Sequence, residues 1–277
     1  MPAINTINNL KRDFLVPTIS AAMFLSRLPL NQFLERISTK DERDEASASF
    51  ERTAKFFGSA AIIVALPAAF TYFLAATFGL TPIISSILVV IAFILTTGAL
   101  HEDALADIAD GFGGGTGREQ KLKIMRDSQI GTFGGCALIL AIGLQVALYA
   151  ELATALSTSQ FLAVLLAANI ASTSIMVWPW AMEPAARNEG GLSTKLGIPT
   201  QETAKQTCII GFLLASLLLW PAIDVLAAIV SLAVCWALML GFTRISHVQI
   251  GGHTGDSLGA TKKISELGLL LAIIIAT

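Results

Sequence analysis

Between His101 and Asp110 the chain reads HEDALADIAD, and a glycine-rich GFGGGTG follows at once. Glu102, Asp103, Asp107 and Asp110 place four carboxylates within nine residues, with no Lys or Arg among them. On a helix Asp103 and Asp107 are one turn apart and Asp110 lies seven residues after Asp103, so the three aspartates share a face. At about 6 Å, in a medium of effective dielectric about 20, each like-charged pair repels by about 3 kcal/mol. A hard divalent cation relieves that repulsion through oxygen ligands and leaves positions open for a substrate phosphate. The plainer alternative is a solvated acidic helix face. The preceding stretch favours the metal: residues 82–100, PIISSILVVIAFILTTGAL, are uncharged and read as a membrane span that ends at the acidic run.

Other residues with chemistry to offer lie nearby in sequence. Glu102 is about 100° from the aspartate stripe and is expected behind it, with His101 beside it. Gly113 and Gly114 allow close backbone approach to a phosphate, although the run is not a P-loop, because no GK[ST] follows. Arg118, Lys121, Lys123 and Arg126 come at helical spacing, and suit either a clamp on substrate charges or lipid headgroups. Asp127-Ser128 then returns a fifth carboxylate to the membrane boundary, as a further metal ligand or a general base. Gly251-Gly252-His253-Thr254-Gly255-Asp256 ends a glycine turn on an acid. His101 and His253 can titrate near neutrality, but no His-rich metal spacing exists and structural hydrogen bonding is the simpler reading. Arg27 is either a snorkelling anchor or a cation facing an anionic substrate.

The elements that must position these groups are membrane helices. The chain is 54% hydrophobic and 14% charged, with long uncharged runs that a soluble domain of 277 residues would not repeat. Spans are expected at 56–78, 82–100, 132–153, 160–181, 207–222 and 225–242, with a seventh in the short apolar tail 264–277 if that tail crosses. Residues 14–30 are apolar but interrupted by Pro17, Arg27 and Pro29, and read as an interfacial or re-entrant segment. The section Lys40 to Glu51 reads as a helical surface segment. The fold class is therefore an all-α polytopic membrane bundle of six to seven transmembrane helices, forming one membrane-embedded catalytic domain over 1–277.

Loops 31–55, 101–131, 182–206 and 243–263 hold 15 Lys and Arg residues, and the three short opposite connections hold none. By the positive-inside rule these loops, and the acidic run with them, face the cytoplasm. No signal peptide is expected. Cys136, Cys208 and Cys235 sit in apolar runs and imply neither a disulfide framework nor a zinc site. A net charge of −2 gives no whole-chain field to recruit nucleic acid. The partners expected are membrane lipid and a phosphorylated small molecule; homo-oligomeric assembly is left open.

Four blocks carry a family resemblance: FLSRLPL at 24–30, GALHEDALADIADGFGGG at 98–115, KIMRDSQIGTFG at 123–134 and GGHTGDSLGA at 251–260. Their order and spacing resemble the cobalamin 5'-phosphate synthases, also called adenosylcobinamide-GDP ribazoletransferases. Ala104 stands where the family usually has Gly, and ARNEGGLSTKLG at 186–197 matches only loosely, which weakens any role for Arg187. The resemblance implies a magnesium-dependent membrane enzyme that joins adenosylcobinamide-GDP to α-ribazole or its 5'-phosphate and releases GMP. It further implies Asp103, Asp107 and Asp110 on magnesium and Asp127 as a ligand or base, with Asp107 also catalytic. Arg126, Lys123 and Arg118 would hold phosphate, and His253 and Asp256 would contact substrate or complete the metal shell. Ser128, Gly113, Gly114 and Arg27 are expected at the substrate, with Glu102 and His101 behind the site. Two competing readings are a CDP-alcohol phosphotransferase-type lipid synthase and, from another class, a small-solute transporter. The transporter would place ionisable residues near mid-membrane, where these spans have almost none.

Overall fold

The protein is described from a computed structural model that covers residues 11–43, 53–187 and 197–277. Gly190-Gly191 and most of the Lys40–Glu51 section lie outside the described residues. A π-helical turn, Lys11–Leu15, runs into α1 (Val16–Leu25), and α2 (Asn31–Ile37) follows. The long helices are α3 (Phe57–Thr77), α4 (Pro82–Thr97), α7 (Thr132–Ala155), α8 (Thr158–Ile175), α10 (Gln201–Leu219), α11 (Val225–Ile250) and α12 (Gly255–Ala276). Shorter helices are α5 (Leu100–Gly114), α6 (Arg118–Ile124) and α9 (Val177–Met182), which continues α8 after a break at Met176. Among the described residues the only β pairing is one isolated bridge, Ala185 with His253.

Five helices are long and apolar enough to cross a membrane: α3, α7, α8 with α9, α10 and α11. The sixth expected span is different. Helix α4 passes only together with α5, and the two meet at an 87° bend. With 16 residues, α4 is about 24 Å long, short of the roughly 30 Å hydrocarbon core. The polar helix α5 lies beyond that bend, outside the apolar spans. Helix α1 has ten residues and is too short to cross, but Val16, Ile19, Ala21, Ala22 and Leu25 are buried against the bundle, so it is an inserted, non-spanning segment.

The bundle is organised around α8, whose residues from Ala167 to Ile175 are all buried. Small residues let its neighbours approach. A Cβ on Gly58 or Gly211 would come within 2.6 or 2.0 Å of Ser174 Oγ, so α3 and α10 both close on the same serine. Asn169 Nδ2 donates to the Ala61 carbonyl oxygen at 2.8 Å, which pins α8 to α3. Large apolar side chains such as Phe70, Leu95, Ile139, Leu213 and Val248 point outward instead, as a lipid-facing belt requires.

The C-terminal expectation needs correction. Residues 243–263 are not a polar loop with a separate tail. Helix α11 continues to Ile250, and α12 runs unbroken from Gly255 to Ala276 against it, capped by a Thr254–Ser257 capping box. Lys262, Lys263 and Glu266 are buried inside the protein, so two of the cations counted toward the charged face are interior. Periodicity explains the error: these charges sit on the stripe of α12 that faces the bundle, and they satisfy one another there.

Candidate active site

The acidic helix enters through a sharp elbow. Gly98 has φ +67° and Ala99 φ +60°, and Ala99 is the only non-glycine residue with positive φ among those described. A left-handed alanine costs about 1–2 kcal/mol. Arg27 occupies the bend: its N–H donates to the Thr96 carbonyl at 2.7 Å, and its side chain lies over Gly98. A Cβ on Gly98 would come within 2.0 Å of Arg27 Nε, so both the conformation and the space require glycine there.

From behind, α5 is locked by buried charge. Lys263 Nζ pairs with Glu102 Oε1 at 2.7 Å and donates to Gln145 Oε1 at 2.8 Å, while Lys262 Nζ pairs with Glu266 Oε2 at 2.7 Å. Two lysines and two glutamates balance to zero. Lys263 thus ties α5 and α7 to α12, which fixes the rotation of α5 and turns Asp103 and Asp107 to the other side. Ala104 packs on Gly259, where a Cβ would come within 2.6 Å of the Ala104 Cβ. Glu102 stands behind the stripe, as its phase predicts.

The stripe itself divides. Asp110 accepts the Gly131 N–H at 2.7 Å on Oδ2 and the Gly134 N–H at 2.8 Å on Oδ1, so it ties the start of α7 to α5. Asp103 is exposed and Asp107 half-buried. Their third neighbour is Asp256, from the first turn of α12. Burial raises the pKa of Asp107 from 3.8 to about 7, and the charges of Asp256, Asp103 and Asp110 add to the shift while Arg187 opposes it. Burial also raises Asp256, again against Arg187 and with help from Asp103. Three carboxylates from two helices therefore share one field.

Arg187 is the cation in that field. Its Nη2 lies 3.7 Å from Asp256 Oδ2 and donates to the Leu122 carbonyl at 3.3 Å. Its Nε is buried and has no hydrogen-bond partner among the described residues. Burial lowers its pKa, with the Arg126 charge nearby in the same direction. A guanidinium with an unspent N–H beside carboxylates and a second arginine is suited to a phosphate oxygen. From the sequence any role for Arg187 is weakened, because its loop matches the family blocks only loosely.

The GGHTGD block explains how Arg187 gets there. The His253 N–H donates to the Pro184 carbonyl at 2.9 Å and the Ala186 N–H to the His253 carbonyl at 2.8 Å. The His253 ring Nδ1 bonds the Glu183 carbonyl at 2.9 Å, and the ring is buried. Gly252 has φ +147°, and a Cβ on it would come within 2.0 Å of the Pro184 carbonyl oxygen. Arg118 spans both strands of this stitch, donating from Nε to Ile250 O at 2.8 Å and from Nη2 to Ala186 O at 2.7 Å. The structure thus commits His253 and Arg118 to holding the 183–187 segment against α12.

The remaining expected residues are at the periphery. Asp127 accepts the Gln129 N–H at 3.1 Å in the exposed turn before α7, with Ser128 and Lys123 also exposed. Gly113 packs on the Phe133 ring, 2.6 Å from where its Cβ would stand, and Gly114 is open. His101 is buried with its Nε2 unpartnered among the described residues. Among the described residues no group of three or more His, Cys, Asp or Glu side chains is arranged to hold a metal by itself. Magnesium seldom requires one: it is commonly held by one or two carboxylates, waters and the substrate's phosphates. Asp103 and Asp256 fit that donor set.

The chain was compared with known proteins. A family model described as cobalamin-5-phosphate synthase matches residues 17–274. A protein of Rhizobium meliloti named adenosylcobinamide-GDP ribazoletransferase is 40% identical over 246 residues, 88% of this chain and 94% of the relative. Proteins of the same name from Sinorhizobium medicae and Brucella anthropi are 38% and 37% identical, over 88% and 94% of this chain and 94% and 96% of their own lengths. No solved structure matches.

Proposed function

This chain belongs to the cobalamin-5-phosphate synthase family, membrane-embedded transferases of cobalamin synthesis, and we propose that it joins adenosylcobinamide-GDP to α-ribazole or its 5'-phosphate at the Asp103–Asp107–Asp256 cluster. In this reaction the ribose hydroxyl of the acceptor attacks the phosphorus bound to cobinamide. The bond from that phosphorus to the bridging oxygen of GMP breaks, and GMP leaves. The hydroxyl proton goes to Asp107 Oδ.

Asp103 and Asp256 would hold Mg2+, which when bound neutralises charge on the diphosphate and its leaving oxygen. Arg187 would bind the phosphate through its Nε, which has no partner among the described residues, and Arg126, electrostatically coupled to it, would add to the clamp. Asp107 can take the proton because its pKa, raised to about 7, leaves the carboxylate populated at neutral pH while making it a stronger base than an ordinary aspartate. The elbow and the Lys263–Glu102 tie hold this geometry before substrate arrives, as a reaction that relies on positioning requires. The site faces the cytoplasm, on the side of the Arg- and Lys-bearing loops, and the protein resides in the cytoplasmic membrane.

One observation carries this reading: a buried guanidinium N–H without a partner among the described residues, beside carboxylates that repel one another. The test is purified protein in detergent with both corrinoid-pathway substrates, with magnesium supplied or chelated. Mass spectrometry of the corrinoid product and chromatography of GMP should show both only with magnesium. Equal turnover under chelation would refute the metal; product only with a lipid alcohol would refute the acceptor.

A further inference from the structure

A cavity of about 140 Å3 opens beside the carboxylates. It lies between α1, the start of α5, the break at Met176 and the first turns of α12. Phe24, Leu100, Ala104, Met176 and Leu258 form its apolar wall, and Asp103 and Asp256 stand in the same lining. We infer that this cavity receives the aromatic base of the acceptor nucleoside, a benzimidazole, and so brings the attached ribose to Asp107. The inference rests on the proposed reaction and assigns one substrate to one place within it.

Size is the first argument. An apolar cavity of about 150 Å3 holds benzene, so this one takes a single aromatic carbocycle, with the rest of the nucleoside at the mouth. Chemistry is the second. The substrates bring three aromatic bases, guanine and the adenine of the adenosyl group on the activated partner and benzimidazole on the acceptor. Guanine carries a carbonyl, a ring N–H and an amino group, and adenine an amino group, and an apolar wall leaves such groups unpaired. A benzimidazole glycosylated on one nitrogen has a single acceptor left. Among the residues lining the cavity only His101 carries a side-chain nitrogen, and its Nε2 is buried without accessible surface, so the wall offers the amino and carbonyl groups of a purine no nitrogen donor. The third argument is placement: a base in this cavity puts its sugar between Asp103 and Asp256, where the phosphate is to be attacked.

Met176→Phe, which fills the cavity, and Phe24→Ala, which removes one wall, test the inference in lipid nanodiscs. Free benzimidazole is titrated by fluorescence, and KM is measured separately for each substrate. Thermal melts establish that each variant is folded, and two substitutions of opposite volume keep the test usable if one fails to fold. In the folded variants benzimidazole binding is expected to weaken about tenfold and the nucleoside KM to rise by a similar factor. KM for adenosylcobinamide-GDP stays within about twofold, well under the tenfold that 1.4 kcal/mol represents. A rise in KM for the GDP-activated substrate, with the nucleoside unaffected, assigns the cavity to guanine or adenine and overturns the proposal. Equal benzimidazole affinity in wild type and variants also overturns it. Benzimidazole binding needs no turnover, so it is read even if Asp107→Asn proves active and the reaction scheme fails.

Discussion

Asp107→Asn should make the protein more stable and inactive. Asp107 is half-buried among three other carboxylates, and its pKa rises from 3.8 to about 7. The folded chain therefore holds this proton more tightly than the unfolded chain. Below about pH 4 both states are protonated and the group has no effect on stability. Between about pH 4 and 7 the unfolded carboxylate ionises while the folded one does not, so stability falls as pH rises. Above pH 7 the loss is complete. The rise from 3.8 to about 7, at about 1.36 kcal/mol for each tenfold change in proton affinity, sets an upper bound of about 4 kcal/mol. Solvent screening of a half-exposed group reduces this to about 1–2 kcal/mol. Asparagine keeps the shape and cannot ionise. In the presence of chelator, Asp107→Asn should exceed wild type by about 1–2 kcal/mol at pH 8, or roughly 2–8 °C in Tm, and equal it at pH 4. Circular dichroism melts in detergent at pH 4, 6 and 8 measure this. Since most substitutions destabilise, the direction alone is informative. A variant less stable than wild type at pH 8, or a difference unchanged across pH, would refute the placement of Asp107 in a repulsive carboxylate field.

Asp103→Asn and Asp256→Asn should each raise the magnesium concentration for half-maximal rate by about tenfold or more, as loss of one of two carboxylate ligands implies; an unchanged magnesium titration would remove them from the metal site. Arg187→Ala should raise KM for adenosylcobinamide-GDP with little change in Tm, and Arg187→Lys should not restore it, because a lysine lacks the planar fork. Arg118→Ala should do the reverse, lowering Tm through its two lost carbonyl contacts; steady-state kinetics beside thermal melts separate the two arginines. Lys263→Met leaves Glu102 buried without its counter-charge and should destabilise by about 3–5 kcal/mol, read as loss of the folded peak in size-exclusion chromatography or a steep fall in Tm.

Much of this arrangement is legible in the sequence, for reasons that can be named. Uncharged runs give the spans, and 3.6-residue periodicity puts Asp103 and Asp107 on one face with Glu102 behind. Asp256 is marked by its glycine turn. Three features are hidden because they depend on tertiary contact. Asp110 has the right phase for the cluster, yet its oxygens are taken by the Gly131 and Gly134 amides across a helix junction. Lys262 and Lys263 read as loop charges, and Glu266 as part of an apolar tail, because hydropathy counts each charge alone, whereas buried partners cancel one another. Arg187 reaches the cluster only through the stitch between 183–187 and His253, which no local pattern announces. For His253 and Arg118, Nδ1 of the one and Nε and Nη2 of the other are engaged by backbone carbonyls around that stitch, which no local pattern announces either.

The measurement closest to the central claim is GMP release by Asp107→Asn, supplied with adenosylcobinamide-GDP, acceptor and saturating magnesium, on protein shown by melting to be folded. No GMP above the no-enzyme background is predicted. GMP formed at the wild-type rate would mean that phosphoryl transfer takes place elsewhere in the molecule.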